Sequence, residues 1–212
     1  MKLHVVIRGR LKDRWYLLEA FTVDGFEELE GCFQCYEISC CVVDALPETR
    51  EARRFQEAHP GVVWLAWYTP QGLDVDWSHQ HGVVKAPRTL ILDETLQRFR
   101  EKKYVLPQHV REIEAGDYFR HLQAPVRTTE LDSWDQPVAV YKNRQPDDFA
   151  HAEVYATLAT IRAKLSEGDR DIRLGQFRTP TNRIEPKRLR SSLGATPPQI
   201  HRRFTAVQLL YH

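Results

Sequence analysis

No apolar run in the sequence approaches the roughly 20 residues a helix needs to cross a bilayer, so no membrane span is expected. The opening residues, MKLHVVIRGR, lack an apolar core followed by small residues, which argues against a secretion signal. Neither GxGxxG nor the P-loop pattern GxxxxGKS/T occurs, so nothing supports nucleotide hydrolysis on a P-loop fold. Cysteine is scarce, at four residues: Cys32, Cys35, Cys40 and Cys41. Without a signal, they point to a reducing compartment and free thiols. They make a poor zinc set. Structural zinc uses two ligand pairs separated by a longer loop, whereas Cys40 and Cys41 are adjacent and would face opposite sides of a strand.

What is present describes a globular chain of 212 residues, 42% hydrophobic and 28% charged, long enough for one well-filled domain with some chain to spare. The formal net charge of +1 hides an asymmetry. Residues 170–212 carry nine Lys/Arg against two acids, a net +7, which leaves −6 for the rest. An acidic body with a basic tail suits contact with nucleic acid, and arginine's planar fork suits phosphate. An arginine-rich genome would give the same bias.

Two strands, Leu3–Ile7 and Trp15–Phe21, flank the turn at Gly9–Asp13 and are expected to pair. A helix from Phe26 to about Tyr36 precedes a wholly apolar strand, Cys40–Ala45, whose character implies cover on both faces. A helix over Glu48–His59, a buried strand over Val62–Tyr68, an extended Gly82–Lys85 and a helix near Leu92–Lys102 follow. Trp64, Trp67 and Tyr68 read as core, while Asp74, Asp76 and the HQHG at His79–Gly82 read as a solvated loop. The spacing then predicts a short extended Val105–Pro107, a helix over Val110–Leu122 and an antiparallel pair, Val126–Thr129 with Val138–Lys142. The stretch PDDFAHAEVY opens a helix with Val154, Leu158, Ile161 and Leu165 on one stripe. Past Gly168 the sequence is rich in Pro, Arg, Thr and Ser, and 169–212 reads as a basic, largely irregular tail to a domain over 1–168. Paired strands followed by strand–helix–strand units imply an α/β fold with a mixed sheet and helices on both faces.

In such sheets ligands sit at the carboxyl ends of strands, and Asp44 ends one. It either serves chemistry there or caps the helix that begins near Pro47. Asp147 and Asp148 pose the same choice. One cap is enough for a helix, and two adjacent carboxylates raise each other's cost of ionisation unless a cation intervenes. Mg²⁺ or Mn²⁺ would satisfy them, and phosphodiester hydrolysis commonly uses two such ions about 3.5–4 Å apart. His151, one turn into the helix, could orient a carboxylate or a water, or simply bond locally.

Three segments in order resemble the nuclease domain of phage terminase large subunits: CCVVDALPETREARRF (40–55), VVKAPRTLILDETLQRFREKKYVLP (83–107) and PDDFAHAEVYATLA (146–159). The resemblance spans roughly residues 2–165. It implies an RNase H-like mixed sheet of about five strands and metal-dependent endonucleolytic cutting of double-stranded DNA, with two Mg²⁺ or Mn²⁺ ions. Carried over, Asp44 matches the family's second catalytic acid, Asp147 with Asp148 the third acidic position, and Arg88 the basic residue of the R-T element. The tail residues Arg178, Arg183, Lys187, Arg188 and Arg190 would contact DNA phosphates. Expected partners are double-stranded DNA, the terminase ATPase domain, the small terminase and the portal protein, in the cytoplasm of a bacterial host. The first acid of that family, on strand one, has no counterpart after Met1, and the ATPase motor is absent. The expectation is therefore of a domain truncated at its N-terminus relative to the family. Its cleavage would be impaired, or it would be a catalytically silent DNA- or protein-binding remnant.

Overall fold

Two polar residues interrupt the apolar first strand, His4 and Arg8, four apart and therefore on the same strand face, and this placement organises the molecule. The computed structural model describes residues 2–70, 72, 74–167 and 204–205. The basic tail residues Arg178, Arg183, Lys187, Arg188 and Arg190 lie outside the described residues.

β1 (Leu3–Leu11) and β2 (Arg14–Val23) form the expected antiparallel hairpin, followed by α1 (Phe26–Cys35) and β3 (Cys41–Asp44). After α2 (Thr49–Ala58) come β4 (Val63–Thr69), β5 (Asp76–Ser78) and β6 (Val83–Pro87), so β5 occupies part of the stretch expected to be a loop. β3, β4 and β6 run parallel, and β5 is antiparallel to β6. α3 (Arg88–Arg100) begins four residues before the expected start, and β7 (Tyr104–Val105) pairs parallel with β2.

The helix expected over Val110–Leu122 is a correction. Residues Ile113–Gly116 form a 3-10 turn, and Glu114, Ala115 and Gly116 all have positive φ, which breaks the run before α4 (Asp117–Gln123). β8 (Val126–Leu131) and β9 (Pro137–Lys142) form a separate hairpin. α5 (Asp148–Glu167) and a two-residue β10 (Phe204–Thr205) complete the described chain.

Among the described residues the strands fall into three sheets, ordered β10-β1-β2-β7, β3-β4-β6-β5 and β8-β9. Among the described residues no ladder joins β1 to β3, so the single sheet of about five strands is not seen there. Even so, the two larger sheets lie in one layer. Val6, Val42, Trp64, Ala66 and Val84 face one core with α3, α4 and α5, while their sequence neighbours Val5, Val43, Leu65 and Val83 face a second core with α1 and α2. Cys40 and Cys41 divide between these cores in the same way. The mixed α/β architecture with helices on both faces therefore holds.

α5 is not one-sided as its stripe implied. Every residue from Phe149 to Thr160 is buried, because the strand layer covers one side and α3 and α4 the other. Ala150, Ala152, Ala156 and Ala159 keep the helix thin enough for neighbours on several sides. Its buried polar groups are paired. Glu153 receives Arg8 Nε and NH2 at 2.7 Å each, and the Tyr118 hydroxyl donates to Glu153 Oε1 at 2.5 Å. The Arg8 guanidinium also sits 3.8 Å above the Tyr104 ring. Thr157 accepts from the Tyr104 hydroxyl and from Thr95.

Removing one member of a buried ion pair strands the other charge. Arg8→Ala should cost about 3–5 kcal/mol in urea denaturation, and the volume-matched double variant Arg8→Met/Glu153→Leu should recover most of that loss.

Candidate functional site at the start of α5

Pro146 ends the approach to α5. Asp147 occupies the cap position, where its carbonyl oxygen accepts from the amides of Ala150 (2.8 Å) and His151 (3.1 Å). Its carboxylate does not stay with the helix end. Oδ2 lies 3.2 Å from His151 Nε2 and 3.9 Å from the Arg88 guanidinium. Burial raises the carboxyl's pKa, but His151 and Arg88 outweigh it and hold Asp147 below the ordinary aspartate range. Arg88, the first residue of α3, is also anchored by donating to the Tyr141 carbonyl at 2.9 Å.

Asp148 turns elsewhere. Consecutive helical residues project about 100° apart, so two adjacent aspartates cannot share one direction. Asp148 Oδ2 lies 3.6 Å from His121 Nδ1 on α4 and 4.0 Å from His4 Nε2 on β1. One potential ligand atom from each of His4, His121 and Asp148 falls within 4.8 Å of the others, and all three residues are buried. This group could hold a metal ion. Phe149 N–H also donates to His121 Nδ1 at 3.4 Å, so the lone pair of that nitrogen is engaged by the helix backbone in the metal-free chain. Two imidazoles and a carboxylate suit Mn²⁺, Fe²⁺ or Zn²⁺, whereas Mg²⁺ prefers oxygen donors throughout. Of the two expected ions, Mn²⁺ matches this set better.

Asp44, at the carboxyl end of β3, is not part of that trio. Its Oδ1 accepts from the Leu46 amide at 3.0 Å, and Oδ2 accepts from the Tyr155 hydroxyl at 2.7 Å. Burial raises its pKa above the ordinary value, and the Leu46 amide, the Tyr155 hydroxyl and His151 offset only part of that. Tyr155 stacks on Tyr68 with ring centroids 5.4 Å apart, and the Tyr68 hydroxyl is 2.7 Å from His151 Nδ1. A continuous chain of contacts therefore runs from Asp44 through Tyr155, Tyr68 and His151 to Asp147. The two acids sit at opposite ends of one network, with their pKa values displaced in opposite directions.

The expected residues Asp44, Asp147, Asp148, His151 and Arg88 thus gather around the first two turns of α5. Sequence reasoning missed His4, His121, Tyr68 and Tyr155. His4 did leave a signal, being a polar residue inside an apolar strand and on the same strand face as Arg8. Burial pushes the thiols of Cys32 and Cys40 up to about 12, which disfavours the reactive thiolate form of both. Among the described residues no helix is long and apolar enough to cross a membrane. Comparison with family models, with curated proteins and with solved structures finds no match.

Two outcomes follow from this geometry. In thermal unfolding, excess Mn²⁺ or Zn²⁺ should raise Tm by mass action more than Mg²⁺ does, and His121→Ala should remove that difference. For Asp44 the folded pKa lies above the unfolded one, so its contribution to stability falls as pH rises from about 3.9 through the folded value. Asp44→Asn should therefore match the original chain below that window, and equal or exceed it in Tm at pH 7.

Proposed function

We infer that this chain is a metal-dependent endonuclease domain acting on double-stranded DNA, as its terminase-like segments imply. The observation that carries the reading is the buried His4–His121–Asp148 group, immediately beside the Asp147–His151–Arg88 cluster at one helix start. A bound divalent ion would supply Lewis-acid stabilisation of phosphate charge and acidify a water. His4, His121 and Asp148 would hold it, one ligand each from β1, α4 and α5.

The remaining groups divide the proton work. Asp147, kept ionised by Arg88 and His151 and therefore a weak base, is suited to orient the attacking water by accepting its hydrogen bond. Asp44, inclined by burial towards its neutral form, is suited to deliver one to the leaving oxygen. Arg88, a third exposed at its side chain, has guanidinium surface left for a phosphate. The second ion implied by the resemblance would need Asp44 and Asp147. Both already have protein partners, so the one-ion arrangement is better supported.

That same compensation favours the second reading, a DNA- or protein-binding module with the fold but not the chemistry. Nicking of supercoiled plasmid with Mn²⁺ separates the two. The original chain should nick, Asp148→Ala should abolish nicking, and His151→Ala should slow it about 10–100-fold as the group that orients Asp147. A chain that retards DNA in a salt-dependent manner yet never nicks it would establish the silent module.

A further inference from the structure

α5 carries Arg162 well beyond Asp148, roughly 21 Å farther along the helix axis. Asp44 closes the carboxyl end of β3, whereas Arg162 lies at the opposite end of the strand layer, beside the turns that lead into β4 and β6. A cavity of about 340 Å³ opens there, at the lower end of the range for small-ligand sites. The buried Trp64 lines it together with Arg162, His79 and His81, and the exposed Glu57 stands on its α2 side.

Among the described residues Arg162 is a half-buried cation with no carboxylate against it, whereas Arg8, Arg88 and Arg98 each face one. Its guanidinium carbon lies 4.9 Å from the centroid of the Trp64 ring and 5.9 Å from that of Trp77, contacts that hold its flat face. Its described hydrogen bond runs from Nη2 to His79 Nδ1 at 3.4 Å. A guanidinium only donates, so this contact sets the lone pair of neutral His79 on Nδ1 and its proton on Nε2. Most of the guanidinium donors are thus left for water or a ligand, and His79 adds a neutral donor beside them.

The walls of the cavity are fixed from behind. Gln56 donates to the carbonyls of Val63 and Gly82, and Arg53 donates to Gln56 Oε1 at 2.9 Å and to the His81 carbonyl at 3.2 Å. Gly82, at φ 58°, passes so close to the Gln56 amide that any side chain there would collide with it. The turn that carries His79 and His81 is therefore held in place before any ligand arrives, which lowers the ordering cost of binding.

We propose that this cavity is a phosphate-binding site, with Arg162 as its charged anchor and His79 and His81 as further donors. Donors that come from a helix and from a separate turn suit a tetrahedral oxyanion, while the indole wall leaves room for the group the phosphate is attached to. The phosphate belongs either to a small phosphate ester or to the backbone of a nucleic acid. The assignment shares no residue with the metal-capable group and stands whether or not the chain cleaves DNA.

Nuclear magnetic resonance on the full chain tests it, with inorganic phosphate titrated against chloride at constant ionic strength. Saturable shifts are expected at the Gly82 amide, the His79 ring and the Trp64 indole. Arg162→Gln should weaken binding at least about tenfold, and Arg162→Lys should restore part of the loss. Glu57→Gln, which removes the acid beside the cavity, should tighten binding by up to about fivefold. The amides shared by β4 and β6 report whether each variant remains folded. A short DNA duplex added to the phosphate-loaded chain separates the two sources: displacement of phosphate assigns a backbone phosphate, and retention assigns a small ester. Shifts that do not saturate, or equal affinity in the original and Arg162→Gln chains, overturn the assignment.

Discussion

The buried pair of Arg8 and Glu153 fixes how the strand layer meets the central helix. Both side chains are completely inaccessible to solvent, so each charge depends on the other and on the Tyr118 hydroxyl. Sliding α5 along β1 by one turn would leave two ions and a phenol without partners inside the core. The register of helix on strand is therefore tightly held, and the register in turn places the candidate site. β1 contributes Arg8 and, four residues earlier on the same face, His4. α4 contributes Tyr118 and, three residues later on the same face, His121. The first member of each couple meets α5 at Glu153 and the second at Asp148. One junction is closed by a salt bridge, while the other assembles two imidazoles around a carboxylate.

Electrostatics at the second junction explain why adjacent aspartates can coexist. Asp147 and Asp148 diverge by the helical angle, and each finds nitrogen groups from a different part of the fold: Arg88 and His151 for Asp147, His4 and His121 for Asp148. The penalty of like charges in one place is thereby divided between two environments. Asp44 is left in a third, where burial outweighs its hydrogen bonds from Leu46 and Tyr155 and the influence of His151, and its carboxyl shifts towards the neutral form. Asp44 and Asp147, both near one helix start, thus carry opposite protonation tendencies, the condition that acid–base chemistry at constant pH requires.

Local pattern made much of this legible. The apolar run ending in Asp44 gave the strand and its terminal acid, and the hairpin at Gly9–Asp13 gave the β1–β2 pair. The proline–aspartate start gave the onset of α5. Illegible were contacts across long sequence distance, such as Arg8 with Glu153 at 145 residues' separation. No periodicity encodes which of many buried polar residues will meet. The misread helix over Val110–Leu122 has a different cause, since three consecutive positive-φ residues override a favourable pattern and nothing in the run REIEAGD except glycine announces them. The reading of α5 as amphipathic failed because alanine and threonine are neutral in a stripe count, yet here they mark faces approached closely by other elements.

Glu153, Thr157, Thr160 and His151 give α5 more polar groups than a core helix needs, and each must be matched by a partner elsewhere in the fold. The cost is uneven along the helix. In its middle, Glu153 and the threonines are matched by Arg8, Tyr118, Tyr104 and Thr95. At its start, the carboxylates of Asp147 and Asp148 face nitrogen groups at 3.2 to 4.0 Å, looser than the 2.7 Å contacts between Arg8 and Glu153. Stability alone would favour closing those contacts or replacing them with apolar packing. Two imidazoles and a carboxylate converge at that end and could hold a metal ion, and a divalent cation is the charge that carboxylate and imidazole lone pairs together would attract.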